Sequence, residues 1–175
     1  KVINVIGNYT NIEATYKLNF CSAEAPLPES AEWNNIVGNP ESDAISVNLT
    51  DIYGRPSDIF VSPVQEKPKY SWASPEDSGY CEIDGIETAV YKYVWRGPSY
   101  KSDITEKIVA RLRLSGLNNE HRYTINHFGA RRYGSDTLVK MKVNDTYAGP
   151  LAQYGNKTSF LTIEDCKPID GTLNI

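Results

Sequence analysis

Ile108, Ala110, Leu112 and Leu114 alternate with Val109, Arg111 and Arg113 over seven consecutive positions. A period of two is what a half-buried β-strand requires, because successive side chains on an extended backbone point to opposite faces. Similar alternation or β-rich runs recur at 15–21, 44–49, 59–62, 122–128, 138–143, 159–163 and 172–175. In 15–21 it sets Tyr16, Leu18 and Phe20 against Lys17 and Asn19. Turn formers stand between the runs, at Gly38-Asn39-Pro40, Tyr53-Gly54-Arg55-Pro56, Ser115-Gly116-Leu117-Asn118-Asn119, Tyr133-Gly134-Ser135 and Asn144-Asp145. Many short strands with such punctuation predict an all-β fold, an antiparallel β-sandwich or jelly roll of two packed sheets. Ile108, Leu112, Leu114, Tyr123, Ile125, Leu138 and Val143 are its expected core. A composition of 12 Tyr and 3 Trp against 1 Met leans the same way.

One stretch departs from the period of two. Ile86, Ala89, Val90, Tyr93 and Val94 recur at helical spacing, Asp84 and Glu87 form a capping pair, and Gly97-Pro98 supplies a stop. A short helix near 85–95, closed by Trp95, is therefore expected. A chain of 175 residues is about the size of one domain. Residues 15–175 read as that single sandwich, and the polar, weakly patterned 1–14 as a linker or an edge strand. The proline- and charge-bearing stretches 22–39 and 62–79 lack periodicity and read as long surface loops.

With a net charge of −4 and no long basic run, the chain lacks the electrostatic footprint of a nucleic-acid binder. No apolar run approaches the roughly 18 residues of a membrane span, and Lys1 opens on no signal-peptide pattern. Cys21, Cys81 and Cys166 fit neither zinc-ligand nor redox spacing and are expected to be unbridged.

Several short motifs, read in order, carry a resemblance. They are Lys17-Leu18-Asn19-Phe20, Trp33-Asn34-Asn35, Arg113-Leu114-Ser115-Gly116-Leu117, Tyr123-Thr124-Ile125-Asn126-His127-Phe128-Gly129-Ala130-Arg131 and Lys142-Val143-Asn144-Asp145. From about Tyr16 to the end, the chain resembles galactose-binding-like jelly rolls, a type of carbohydrate-binding module in extracellular bacterial polysaccharide-degrading and surface proteins. It departs from that pattern at Asp145, where the pattern has Gly. The resemblance implies a secreted, periplasmic or surface-displayed module, joined to other domains of a larger protein. Its implied partner is a polysaccharide or other glycan.

Sugars bind by laying their apolar faces on aromatic rings while planar polar groups satisfy the hydroxyls. Trp72 lies within an irregular stretch and is the ring with the best prospect of exposure; Trp95 reads as core. Trp33 sits beside two amides, Asn34 and Asn35, that either bond vicinal hydroxyls or pin a loop with Trp33 in the core. Arg131, Arg132 and Tyr133 follow a strand directly, as a clamp for an acidic sugar or as a solvated charged turn. Asp51, Asp58, Asp77 and Asp84 offer oxygens to a structural calcium, or are solvated loop charges; no cofactor is otherwise expected. His121 and His127 would share a strand at a separation of roughly 20 Å, too far for one metal. No Gly-x-Ser-x-Gly elbow or Gly-x-x-x-x-Gly-Lys loop occurs. A pair of carboxylates from two loops would still serve a glycosidase. The leading expectation is a non-catalytic carbohydrate-binding module, followed by a structural or adhesive spacer, then by a glycosidase or esterase.

Overall fold

The computed structural model of the protein describes residues 2–9, 12–21, 32–37, 45–64, 71–72, 95–96, 111–129 and 138–175. These residues are all-β and form a β-sandwich, with no helix among them. The larger sheet holds five strands, β1 (Val2–Tyr9), β2 (Ile12–Cys21), β3 (Trp33–Val37), β9 (Tyr123–Phe128) and β12 (Leu161–Cys166), in the order β12-β9-β1-β2-β3. The second sheet runs β13-β8-β5-β4, from β4 (Val47–Thr50), β5 (Pro56–Pro63), β8 (Leu112–Ser115) and β13 (Leu173–Asn174). A hairpin of β10 (Leu138–Val143) and β11 (Thr146–Ala152) and a ladder of β6 (Ser71–Trp72) with β7 (Trp95–Arg96) complete the strands. Among the described residues all strand pairings are antiparallel except β2 with β3, which the intervening eleven residues, 22–32, permit to run parallel.

Leu18, Phe20 and Ile36 of the larger sheet bury against Leu49, Ile59, Val61, Leu112, Leu114 and Leu173 of the smaller. Tyr123, Ile125 and Val143 join this core as expected, while Ile108 lies outside the described residues. Leu138 is a correction: it is 63% exposed. Val139, Met141 and Val143 form the inward row of β10, so the alternation that buries them turns Leu138 outward.

Three other expectations change. Residues 2–9 are neither linker nor edge: β1 lies between β9 and β2, with Val2 opposite both Phe128 and Asn19. Residues 33–37, placed in a loop by their lack of period, form edge strand β3. The proposed helix falls mostly outside the described residues. Its closing residue Trp95, however, is in a strand, where Trp95-Arg96 pairs with Ser71-Trp72. No helix among the described residues is long and apolar enough to cross a membrane.

The two ends of the sandwich differ. Ile52 N–H donates to Thr15 O at 2.9 Å, which sets the β4–β5 turn at the end where β1 turns into β2. That end is made of tight connections. Asp170 and Gly171, at φ 49° and 71°, form a two-residue hairpin loop closed by reciprocal bonds between Ile169 and Thr172 at 2.9 and 3.0 Å. In the β8–β9 connection the buried Tyr123 hydroxyl accepts the Asn118 N–H at 3.0 Å, a brace like the tyrosine corner of other sandwiches. Tyr123→Phe leaves that N–H without its partner. We expect a loss of about 1–2 kcal/mol in urea unfolding at an unchanged m-value. At the other end β2, β3, β5 and β9 terminate at Cys21, Val37, Pro63 and Phe128. From there the chain enters its four long connections, 22–32, 38–46, 64–111 and 129–137.

Candidate functional site

Trp33, Asn34 and Asn35 do not form a surface platform. Trp33 is 7% exposed. Lys17 Nζ lies 5.4 Å from its ring centroid and pairs with Glu32 at 2.9 Å, but it is burial that withdraws this ring from the surface. The Asn34 amide, 6% exposed, joins the two sheets at their β3 and β4 edges. Its Oδ1 accepts Thr50 N–H at 2.8 Å while its Nδ2 donates to Thr50 O at 2.8 Å and to Lys17 O at 3.2 Å. That reciprocal pair copies a backbone rung, so a side chain closes the edge where no strand does. Asn35 Oδ1 accepts from Asn19 Nδ2 at 2.9 Å and lies 3.9 Å from Cys21 Sγ. Of the two alternatives open in the sequence, pinning is the one these contacts support.

Trp72 is placed differently. It lies in β6 directly opposite Trp95 of β7, within the long connection that leaves β5 and returns to β8. Arg131, Arg132 and Tyr133 fall outside the described residues; β9, which they follow in sequence, ends at the end of the sandwich where β5 also ends. Asn156 Nδ2 donates to Gly129 O at 3.0 Å and to Ser159 O at 2.9 Å, holding the exit from β9. The chain matches no protein-family model, no curated protein and no solved structure.

At the tight end stands a group that the sequence marks only as a turn and a calcium candidate. Asp51 is buried, and its Oδ1 accepts the N–H groups of Tyr53 and Arg55, each at 2.9 Å. Its Oδ2 accepts Arg55 Nε. Burial would push the carboxyl up, but these bonds and the Arg55 charge together hold it below its ordinary 3.8. Both oxygens thus serve the turn rather than a cation. Among the described residues no three of His, Cys, Asp and Glu gather as a metal site. His121 lies before β9 and so does not share a strand with His127, which is buried within it. The signal for the turn was present in Asp51-Ile52-Tyr53-Gly54-Arg55, since an Asx residue two before a ring and four before an Arg can brace both.

Cys21 and Cys166 are free, buried thiols; Cys81 lies outside the described residues. Burial pushes each from an ordinary 9.0 up to about 11. In a Cys81→Ser variant, neither should react with a disulfide reagent at pH 8 until the domain unfolds, when both react at once. The stability these thiols contribute is complete below 9.0 and is lost as pH climbs toward about 11, because only the unfolded chain ionises in that window.

Proposed function

We propose that the domain is a non-catalytic carbohydrate-binding module of galactose-binding-like type, from a secreted or surface-displayed protein, taking polysaccharide at its long-connection end. The observation that carries this is the Trp72–Trp95 pairing in the connection between β5 and β8. Directly opposed positions of an antiparallel ladder share one face, and a pair of indoles on one face would supply the flat apolar strip on which a pyranose stacks. Arg131, Arg132 and Tyr133 follow the β9 terminus at the same end and would supply donors to hydroxyls or to a carboxylate. Trp33, Asn34 and Asn35, candidates in the sequence, have no part in this site.

A shallow site buries little of each sugar, so the affinity should be of order micromolar to millimolar, roughly 4–8 kcal/mol. On a glycan array the domain should retain at least one polysaccharide. Trp72→Ala should lower that retention to background while moving the melting temperature by less than about 3 °C. The second reading is a structural or adhesive spacer, favoured by the internal use of the Asn34 and Asn35 amides. A blank array together with a Trp72→Ala variant that unfolds would select it.

A further inference from the structure

Opposite the long connections, the β4–β5 turn exposes a ring beside a guanidinium that Asp51 holds in place. Tyr53 is 70% exposed. The Arg55 guanidinium carbon lies 5.1 Å from the Tyr53 ring centroid, and the Arg55 side chain is 45% exposed. Beneath them Asp51 binds both backbone N–H groups and Arg55 Nε, and Gly54 N–H donates to Asp51 O at 2.9 Å. The turn is itself tied to β2 through Ile52 and Thr15.

Backbone bonds to Oδ1 alone would close such a turn, as Asx turns do. The bond from Arg55 Nε to Oδ2 adds a fixed direction for a side chain that otherwise samples many rotamers. The guanidinium has thus lost much of its freedom before any ligand arrives and the Tyr53 ring lies against it, which lowers the ordering entropy that association costs. The charge on Arg55 is balanced by Asp51, so the pair presents hydrogen-bond donors with little net field. An anion gains little there. A neutral ring bearing hydroxyls on one edge and C–H groups on one face matches both components.

We infer that Tyr53 and Arg55 form a second saccharide subsite, in which a neutral pyranose stacks on the Tyr53 ring and accepts hydrogen bonds from the terminal nitrogens of Arg55. It uses none of the residues of the Trp72 site and stands whether or not that site binds. Two subsites at opposite ends of one sandwich would let the domain bridge neighbouring chains, raising avidity over either alone.

The test is a titration of the ¹⁵N-labelled domain with cellohexaose, xylohexaose and mannohexaose, with trigalacturonate as the acidic probe. At least one neutral probe should shift the amides of Tyr53, Gly54 and Arg55. Tyr53→Ala should weaken that response about ten-fold or more, and Arg55→Lys, which keeps the charge but loses the planar fork, should weaken it by a similar factor. Neither substitution removes a buried side chain, and the Asp51-bonded amides report directly whether the turn survives. Trp72→Ala should leave these shifts in place. The proposal is overturned if no neutral probe moves these amides up to about 10 mM, the weak limit for such sites. It is equally overturned if only trigalacturonate moves them, if the response survives Tyr53→Ala, or if Trp72→Ala erases it.

Discussion

Gly116→Ala should remove about 4 kcal/mol or more of folding stability, enough to leave much of the domain unfolded at 37 °C. Gly116 follows β8 at φ +79°, a left-handed conformation that already costs an L-residue about 1 kcal/mol. Steric contact costs more. A Cβ there would sit 1.9 Å from Asp58 O and 2.9 Å from Asp58 C, on the neighbouring strand β5. Those are backbone atoms held in the β5–β8 ladder, where Phe60 pairs with Ser115, so no rotamer change relieves the clash. Gly155 is the control: its φ is +67°, but nothing lies within 4 Å of a Cβ built on it. Gly155→Ala should cost only about 1 kcal/mol, and the gap between the two urea midpoints measures the clash.

Asn34→Ala should destabilise by about 2–4 kcal/mol. The change strands the Thr50 N–H and carbonyl where the two sheets meet, at a position that is itself 6% exposed. Asn34→Asp keeps the acceptor for Thr50 N–H but sets a carboxylate against the carbonyls of Lys17 and Thr50, which now receive Nδ2. It should be about as damaging at neutral pH and recover partly in acid, as the carboxyl gains a proton to donate. Asn35→Ala forfeits the bond from Asn19 and should cost only about 1 kcal/mol.

Strands with one face inward were legible because alternation reports burial directly. β8 and β9 carry it plainly, in Leu112 and Leu114, then Tyr123 and Ile125. In β10 the strand was legible but its phase was not. Leu138 is as apolar as Val139, and only the inward row of Val139, Met141 and Val143 decides which of them faces water. β1 was left between a linker and an edge strand, and its interior place was missed, because Val2-Ile3 and Val5-Ile6 put apolar residues in adjacent pairs, a pattern without period two. β3 was missed for a more specific reason: Asn34 is buried where alternation calls for an apolar side chain, since its amide replaces a ladder rung. The same substitution made Trp33-Asn34-Asn35 look like a sugar platform. An amide offers one donor set and one acceptor to a peptide as readily as to a hydroxyl pair, and one-dimensional sequence does not distinguish the two. The tight turns were legible from Asp, Gly and Asn alone, but the stacking of Arg55 on Tyr53 depends on a bond spanning four residues through Asp51.

The candidate residues thus divide into those that hold the sandwich and those proposed to bind polysaccharide. Polysaccharide retention of Trp72→Ala and Asn35→Ala, measured side by side on one glycan array well below both melting temperatures, tests that division most directly. Trp72→Ala should lose the signal and Asn35→Ala should keep the wild-type level. Retention lost in Asn35→Ala and preserved in Trp72→Ala would contradict the division and return the site to β3.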